Sequence, residues 1–66
     1  MKIKVDVWKK ANRMFILRHA DYYNSGLRFI PTTKSEMDSG MMTYVVIDKP
    51  LFMLTVFKYG LVYEEV

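Results

Sequence analysis

The amino-acid sequence predicts a small, β-rich α+β domain built on an antiparallel sheet or open barrel of five to six short strands. The chain has 66 residues, which suffice for a single domain over 1–66. Its first segment alternates apolar with polar residues, which is the period of a half-buried strand. The connections between its apolar runs are short, and short connections favour antiparallel neighbours. These three observations together predict the fold class.

The first strand is predicted over residues 2–8. Ile3, Val5 and Val7 alternate there with polar residues and would all face the core. The opposite face carries the remaining side chains, namely Lys2, Lys4, Asp6 and Trp8. An outward tryptophan is unusual, and tryptophan is frequent at the centre of protein interfaces, so Trp8 is a candidate for contact with a partner.

The next apolar run, residues 13–19, is compatible with two structures. We expect a strand that follows a turn at 9–12 and pairs with the first strand, because the run is short and is followed by turn residues. The alternative is a helix, in which one side would carry a mediocre apolar stripe. That side would consist of Ala11, Met14, Phe15 and Arg18.

The middle of the chain predicts a turn, a third strand and one short helix. Residues 21–26 contain Asn, Ser and Gly, which tolerate the backbone angles of a tight turn. Residues 27–30 form the third strand. The spacing of Thr33 and Glu36 is that of a capping box, and it predicts a helix over about 33–39, between the third and fourth strands.

The last third of the chain predicts two or three further strands, over 41–47, 52–59 and 61–63. Both faces of the first two are apolar, whereas a strand with one solvated face alternates apolar with polar residues. Such strands are covered on both sides, belong to a closed barrel, or meet another chain. Because one short helix leaves little material to cover a second face, we expect association through this region. The candidate residues for self-association are Met41, Met53 and Phe57.

Residue types that carry catalysis or bind metal are scarce. The chain has no cysteine, its one histidine is His19, and its three glycines are isolated, so we expect neither a structural zinc site nor a phosphate-binding loop. His19 and Asp21 lie two residues apart, but a histidine near a turn is usually a surface residue. We therefore predict no enzyme, no catalytic residue, no metal and no cofactor.

We also expect no contact with a membrane. The first eight residues contain no continuous apolar core of the kind found in signal peptides. The longest apolar runs, 41–47 and 51–57, are far shorter than the roughly 20 residues that cross a bilayer. The expected location is the cytoplasm, or the host cytoplasm if the protein is viral.

The positive charge is concentrated in the first half of the chain. The net charge is +3, with +5 in residues 1–28 and −2 in residues 29–66, which favours an anionic partner. Basic and aromatic residues interleave in the first half, and Trp8 could serve as a protein anchor or stack on a base. The ordinary alternative is that Trp8 packs against the turn at 22–23. The predicted partner-binding residues are Trp8, Lys9, Lys10, Arg13, Arg18, Tyr22, Tyr23 and Arg28.

These observations predict a small non-catalytic binding protein. We expect a modulator or inhibitor of phage or mobile-element origin that acts by contact with a host protein. Six methionines suit an adaptable interaction surface of this kind. One alternative is a small β-barrel that binds single-stranded nucleic acid. Another is a self-associating structural or antitoxin-like subunit, which would form a homo-oligomer.

Overall fold

The computed structural model describes the backbone of residues 1–18 and 22–66 and the side chains of residues 1–14 and 24–66. Within these ranges the chain has an α+β fold with a four-stranded antiparallel sheet and three α-helices, so the predicted class is confirmed in outline. In chain order the elements are β1 (Lys2–Asp6), α1 (Lys10–Arg18), a 3-10 turn (Tyr22–Ser25), β2 (Leu27–Ile30), α2 (Lys34–Asp38), β3 (Met41–Val46), α3 (Lys49–Tyr59) and β4 (Tyr63–Glu65).

The strands are arranged in the order β2-β3-β1-β4, and every neighbouring pair is antiparallel. β1 therefore occupies an inner position, with β3 on one side and β4 on the other. Ile3 pairs with Tyr44, and Val5 pairs with Tyr63, so these side chains share one face of the sheet. β2 and β4 are edge strands, and the described sheet is open rather than closed into a barrel.

The core lies between this face and α3. Phe52 of α3 is fully buried, and its ring makes an edge-to-face contact with Tyr63, with the ring centroids 5.0 Å apart. Among the described side chains, the buried apolar ones are Ile3, Val5, Leu27, Tyr44, Phe52 and Leu61. A single layer of apolar side chains therefore holds the sheet to α3.

The short helix α2 contacts the opposite face of the sheet. The Glu36 carboxylate accepts a hydrogen bond from the Thr43 hydroxyl at 3.3 Å, and its other oxygen lies 3.7 Å from the Lys4 ammonium. The helix begins as predicted, because the Thr33 hydroxyl accepts from the Glu36 amide at 3.2 Å. In a complete capping box the Glu36 side chain would accept from the Thr33 amide, but here it contacts β1 and β3 instead.

Asn12 is the polar residue that joins α1 to the sheet. Its side chain is fully buried in the first half of α1. The amide nitrogen donates to the backbone oxygens of Asp6 and, at 3.3 Å, of Val62, and the amide oxygen accepts from the Val62 amide at 3.2 Å. Asn12 thus links the end of β1 to the segment that leads into β4.

The predicted strand at 13–19 is wrong, because residues 10–18 form helix α1. The predicted turn at 9–12 is also displaced, since the helix begins at Lys10. β1 pairs with β3 and with β4, so neither of its edges is left for a hairpin partner. His19 and Asp21 lie outside the described residues.

The predicted strand at 52–59 is likewise wrong, because residues 49–59 form helix α3. Asp48, Lys49 and Pro50, which the sequence suggests as a turn between two strands, form the start of the helix instead. The Asp48 carboxylate accepts from the Leu51 amide at 3.0 Å, and Pro50 lies in the first turn, where its missing N–H costs nothing. Gly60 ends the helix in a left-handed conformation. These two helices explain why four strands form and not five or six.

The other elements lie close to their predicted positions. β1 is two residues shorter than the predicted 2–8, β2 matches 27–30, and β3 ends one residue before the predicted 41–47. The last strand begins two residues later than the predicted 61–63. These segments were predicted from alternation or from local turn and cap residues, and both signals are local in sequence.

We predict that Asn12→Ala lowers the free energy of unfolding by about 2 kcal/mol, because it leaves partly buried backbone groups of Asp6 and Val62 without this partner. Urea denaturation followed by circular dichroism measures the loss. Lys10→Ala, at an exposed position in the same helix, should change the free energy by less than about 0.5 kcal/mol. Equal effects of the two substitutions would contradict the proposed role of the amide.

We predict that Tyr44 makes the fold sensitive to alkaline pH. Burial raises the pKa of Tyr44 to about 12 from its ordinary value of 10. Ionisation above pH 10 therefore favours the unfolded chain, so stability is complete below pH 10 and is lost as the pH rises toward 12. Between pH 8 and pH 11 the wild type should lose about 1 kcal/mol more than Tyr44→Phe in urea titrations. The same loss in both proteins would exclude Tyr44 as the cause.

Candidate partner-binding surfaces

Trp8 lies in a turn that follows β1, and two hydrogen bonds fix this turn. The Trp8 amide donates to the Asp6 carboxylate at 2.9 Å, and the Val7 amide donates to the Gly40 backbone oxygen at 2.7 Å. The strand therefore ends before Trp8, and alternation along β1 does not orient this side chain. The turn leaves the Trp8 side chain 59% exposed.

The Trp8 ring lies directly on the backbone of Gly40. Gly40 is buried and has a φ of +82°, a conformation that glycine adopts readily and other residues do not. A Cβ atom at this position would overlap the Trp8 indole at Cδ1 and Nε1. The absence of a side chain at Gly40 therefore makes the position of the tryptophan possible. Contact with Gly40 was not anticipated from the sequence. The alternative that Trp8 packs against the turn at 22–23 concerns side chains outside the described residues.

Three basic residues follow the tryptophan within five positions of the sequence, and one of them contacts its ring. The Arg13 guanidinium carbon lies 5.8 Å from the centroid of the Trp8 ring, which is within the range of a cation–π contact. Lys9, Lys10 and Arg13 are exposed, and the first turn of α1 contains no acidic residue. We call Trp8, Lys9, Lys10 and Arg13 the Trp8 surface.

The remaining predicted partner-binding residues do not extend this surface in the described structure. Arg28 lies on the edge strand β2 and pairs with Val45, which in turn pairs with Lys2. Lys2 is at the end of β1 farthest from Trp8, so Arg28 and Trp8 lie toward opposite ends of the sheet. The side chains of Arg18, Tyr22 and Tyr23 lie outside the described residues.

A second surface is formed by the side of α3 that faces away from the sheet. Met53 is 43% exposed, Leu54 is 66% exposed and Phe57 is 91% exposed, and Pro50 is exposed in the first turn. We call these four residues the α3 outer face. Their spacing of i, i+3, i+4 and i+7 is that of one helix side. Met53 and Phe57 were predicted from the sequence, but Leu54 was not, because alternation on a strand assigns it to the other face.

Met41, the third residue predicted for self-association, lies elsewhere. It pairs with Asp6 on the face of the sheet opposite to α3. There it contributes to a cleft of about 350 Å³. The cleft is lined by Lys4, Asp6, Lys9, Met41, Val62, Tyr63 and Glu64. Its lining carries two basic and two acidic side chains, so it has no excess of either charge.

The described residues hold no arrangement typical of a metal site. Within these parts of the chain, no group of three or more His, Cys, Asp or Glu residues could hold a metal ion. Among the helices that the structure describes, none is long and apolar enough to cross a lipid bilayer.

We predict that Gly40→Ala displaces the Trp8 ring, because the new methyl group would occupy the position of the indole. Trp8 is the only tryptophan of the chain, so its fluorescence reports on this site alone. Quenching by acrylamide should increase in Gly40→Ala. Gly60→Ala is a matched control, since Gly60 also has a positive φ but has no atom within 4 Å of an added Cβ. Unchanged quenching in both variants would show that the ring does not depend on Gly40.

Comparison of the chain with models of known protein families, with curated proteins and with solved structures gave no match.

Proposed function

We propose that the protein is a non-catalytic binding protein that uses the Trp8 surface to contact an acidic surface on another protein. The proposed setting is a phage or mobile element, whose product would modulate or inhibit a host protein in the host cytoplasm. The observation that carries the proposal is the position of Trp8, whose ring is exposed to solvent and yet held in place by its neighbours.

An exposed side chain that is already fixed is a favourable anchor for binding. The Trp8 ring lies on Gly40 and under the Arg13 guanidinium, so less conformational entropy is lost when a partner covers it. Tryptophan and arginine are also the residue types that most often dominate the binding energy of protein interfaces. This arrangement supports Trp8 as the centre of a contact area.

The charge around the tryptophan indicates the character of the partner. Lys9, Lys10 and Arg13 are exposed and lie within six residues of chain that contain no acidic residue. Complementary charge accelerates the encounter of two proteins and disfavours partners of like charge. An acidic protein surface fits this distribution.

Single-stranded nucleic acid is the competing partner, and two features count against it. Proteins that bind single strands usually present several aromatic side chains along a basic groove. Among the described residues, the Trp8 surface has one aromatic side chain, and Arg28 lies toward the other end of the sheet. The Arg13 guanidinium also lies over the Trp8 ring, where it would compete with a stacked base.

The test is affinity capture from host-cell lysate with and without nuclease, using the wild type, Trp8→Ala and Val66→Ala. We expect the wild type to retain an acidic protein after nuclease treatment, and Trp8→Ala to retain at least about tenfold less of it, as for a residue central to an interface. Val66 is a matched control because it is 70% exposed and lies beside Lys2, at the far end of β1.

Three results would contradict the proposal. Equal capture by wild type and Trp8→Ala would show that Trp8 is not the anchor. Loss of capture after nuclease treatment would identify nucleic acid as the ligand. In that case, binding of the purified protein to a mixed-sequence oligonucleotide should weaken steeply as salt increases. Capture of a basic protein would exclude the proposed charge complementarity.

A further inference from the structure

The α3 outer face is an apolar stripe without an assigned role. Phe52 and Thr55 are buried on the opposite side of the helix, and Tyr59 is half-buried there. At 100° per residue, the centre of the stripe lies almost directly opposite to this buried side. α3 thus carries apolar side chains both toward and away from the sheet, with Lys49 and Lys58 between the two sides, and the fold covers only the first of them. A helix with two apolar sides is usually covered on both.

The spacing of the stripe is symmetric. Pro50, Met53, Leu54 and Phe57 follow each other at intervals of three, one and three residues. Read in the opposite direction, the intervals are the same. Two antiparallel copies of α3 related by a twofold axis would therefore place Met53 opposite Leu54 and Pro50 opposite Phe57. Every apolar residue of the stripe would meet another one, as a self-complementary interface requires.

Charge does not oppose this pairing. The stripe contains no charged residue, and Lys49 and Lys58 lie on its two opposite borders. In an antiparallel pair, Lys58 comes level with Lys49 of the second copy, but the two side chains lie on different sides of the interface. The helix dipoles then run in opposite directions, which is also favourable. The stripe has no charged group that would select a different partner.

The small area of the stripe indicates a weak contact. From their exposed fractions, Met53, Leu54 and Phe57 offer roughly 400 Å² per chain, against about 800 Å² per partner in a stable interface of standard size. The pair is therefore smaller than a standard interface and falls among weak, transient contacts. Because area alone does not set affinity, we expect only a reversible dimer, with a dissociation constant of about 10 µM or weaker.

We propose that the protein forms a weak homodimer through the α3 outer face, with the two α3 helices antiparallel. The α3 outer face shares no residue with the Trp8 surface. Each of the two proposals can therefore be tested, and rejected, without the other. A dimer would present two copies of the Trp8 surface, which would strengthen contact with a partner that carries two acidic sites.

Sedimentation equilibrium tests the dimer over concentrations that bracket the expected dissociation constant, from about 5 to 500 µM. The mean mass of the wild type should rise from 7.9 kDa toward twice that value. The Phe57→Asp variant should remain monomeric at every concentration. Its circular dichroism spectrum should match that of the wild type, because Phe57 is almost fully exposed. Val66→Asp and Trp8→Ala should dimerise like the wild type. A monomeric wild type, or a dimeric Phe57→Asp, would overturn the proposal.

Disulfide trapping tests the orientation, because the natural chain contains no cysteine. An equimolar mixture of Pro50→Cys and Phe57→Cys should form the mixed dimer on oxidation. Pro50→Cys alone retains Phe57 but should not cross-link, since the two cysteines would lie seven residues, or about 10 Å, apart along the axis. Cross-linking of Pro50→Cys with itself would indicate parallel helices and exclude the proposed arrangement.

Discussion

Asn12 carries a polar amide in the interior, and three separate parts of the chain meet at it. Its nitrogen donates to backbone oxygens at the end of β1 and at Val62, and its oxygen accepts from the Val62 amide. A buried polar group destabilises the fold unless it forms a hydrogen bond. The Asn12 amide can form its hydrogen bonds only when α1, β1 and the segment before β4 are correctly placed. The chain has no disulfide and a thin core, so this amide defines the relative position of these elements more specifically than apolar packing does.

The size of the chain explains why an apolar helix remains partly uncovered. A sheet with one apolar face requires one covering layer, and α3 supplies much of it through Phe52. Among the residues that the structure describes, no further element lies over the outside of α3. Small domains bury a smaller fraction of their surface than large ones do, so large side chains such as Phe57 stay in solvent unless another chain covers them.

The position of the Trp8 surface depends on one glycine elsewhere in the fold, Gly40. Gly40 lies between α2 and β3, and its backbone oxygen holds the turn that contains Trp8. Its missing side chain also provides the space for the indole ring. The Trp8 ring is therefore positioned by the residue before β3 and not by the strand that precedes Trp8 in the sequence. A change at Gly40, which belongs to neither candidate surface, would alter the Trp8 surface.

Local sequence patterns were sufficient to predict the elements β1, β2, β3 and α2. Alternation, turn residues and the Thr33 cap all act over a few residues. The exposure of Trp8 was also expected, but from its place on a strand, whereas the turn after β1 is what exposes it. The surplus of apolar surface around Met53 and Phe57 was expected as well, although on a strand and not on a helix. The identity of α1 was left open between a strand and a helix, because a short apolar run packs equally well as either. That of α3 was missed, although Asp48, Pro50 and Gly60 are local start and stop signals of a helix. In the tertiary structure both segments are helices. β3 and β4 occupy both edges of β1, so no further strand can pair there, and the apolar face of the sheet needs helices to cover it. Burial and strand pairing depend on residues that are distant in sequence, and for that reason only the folded chain determines them.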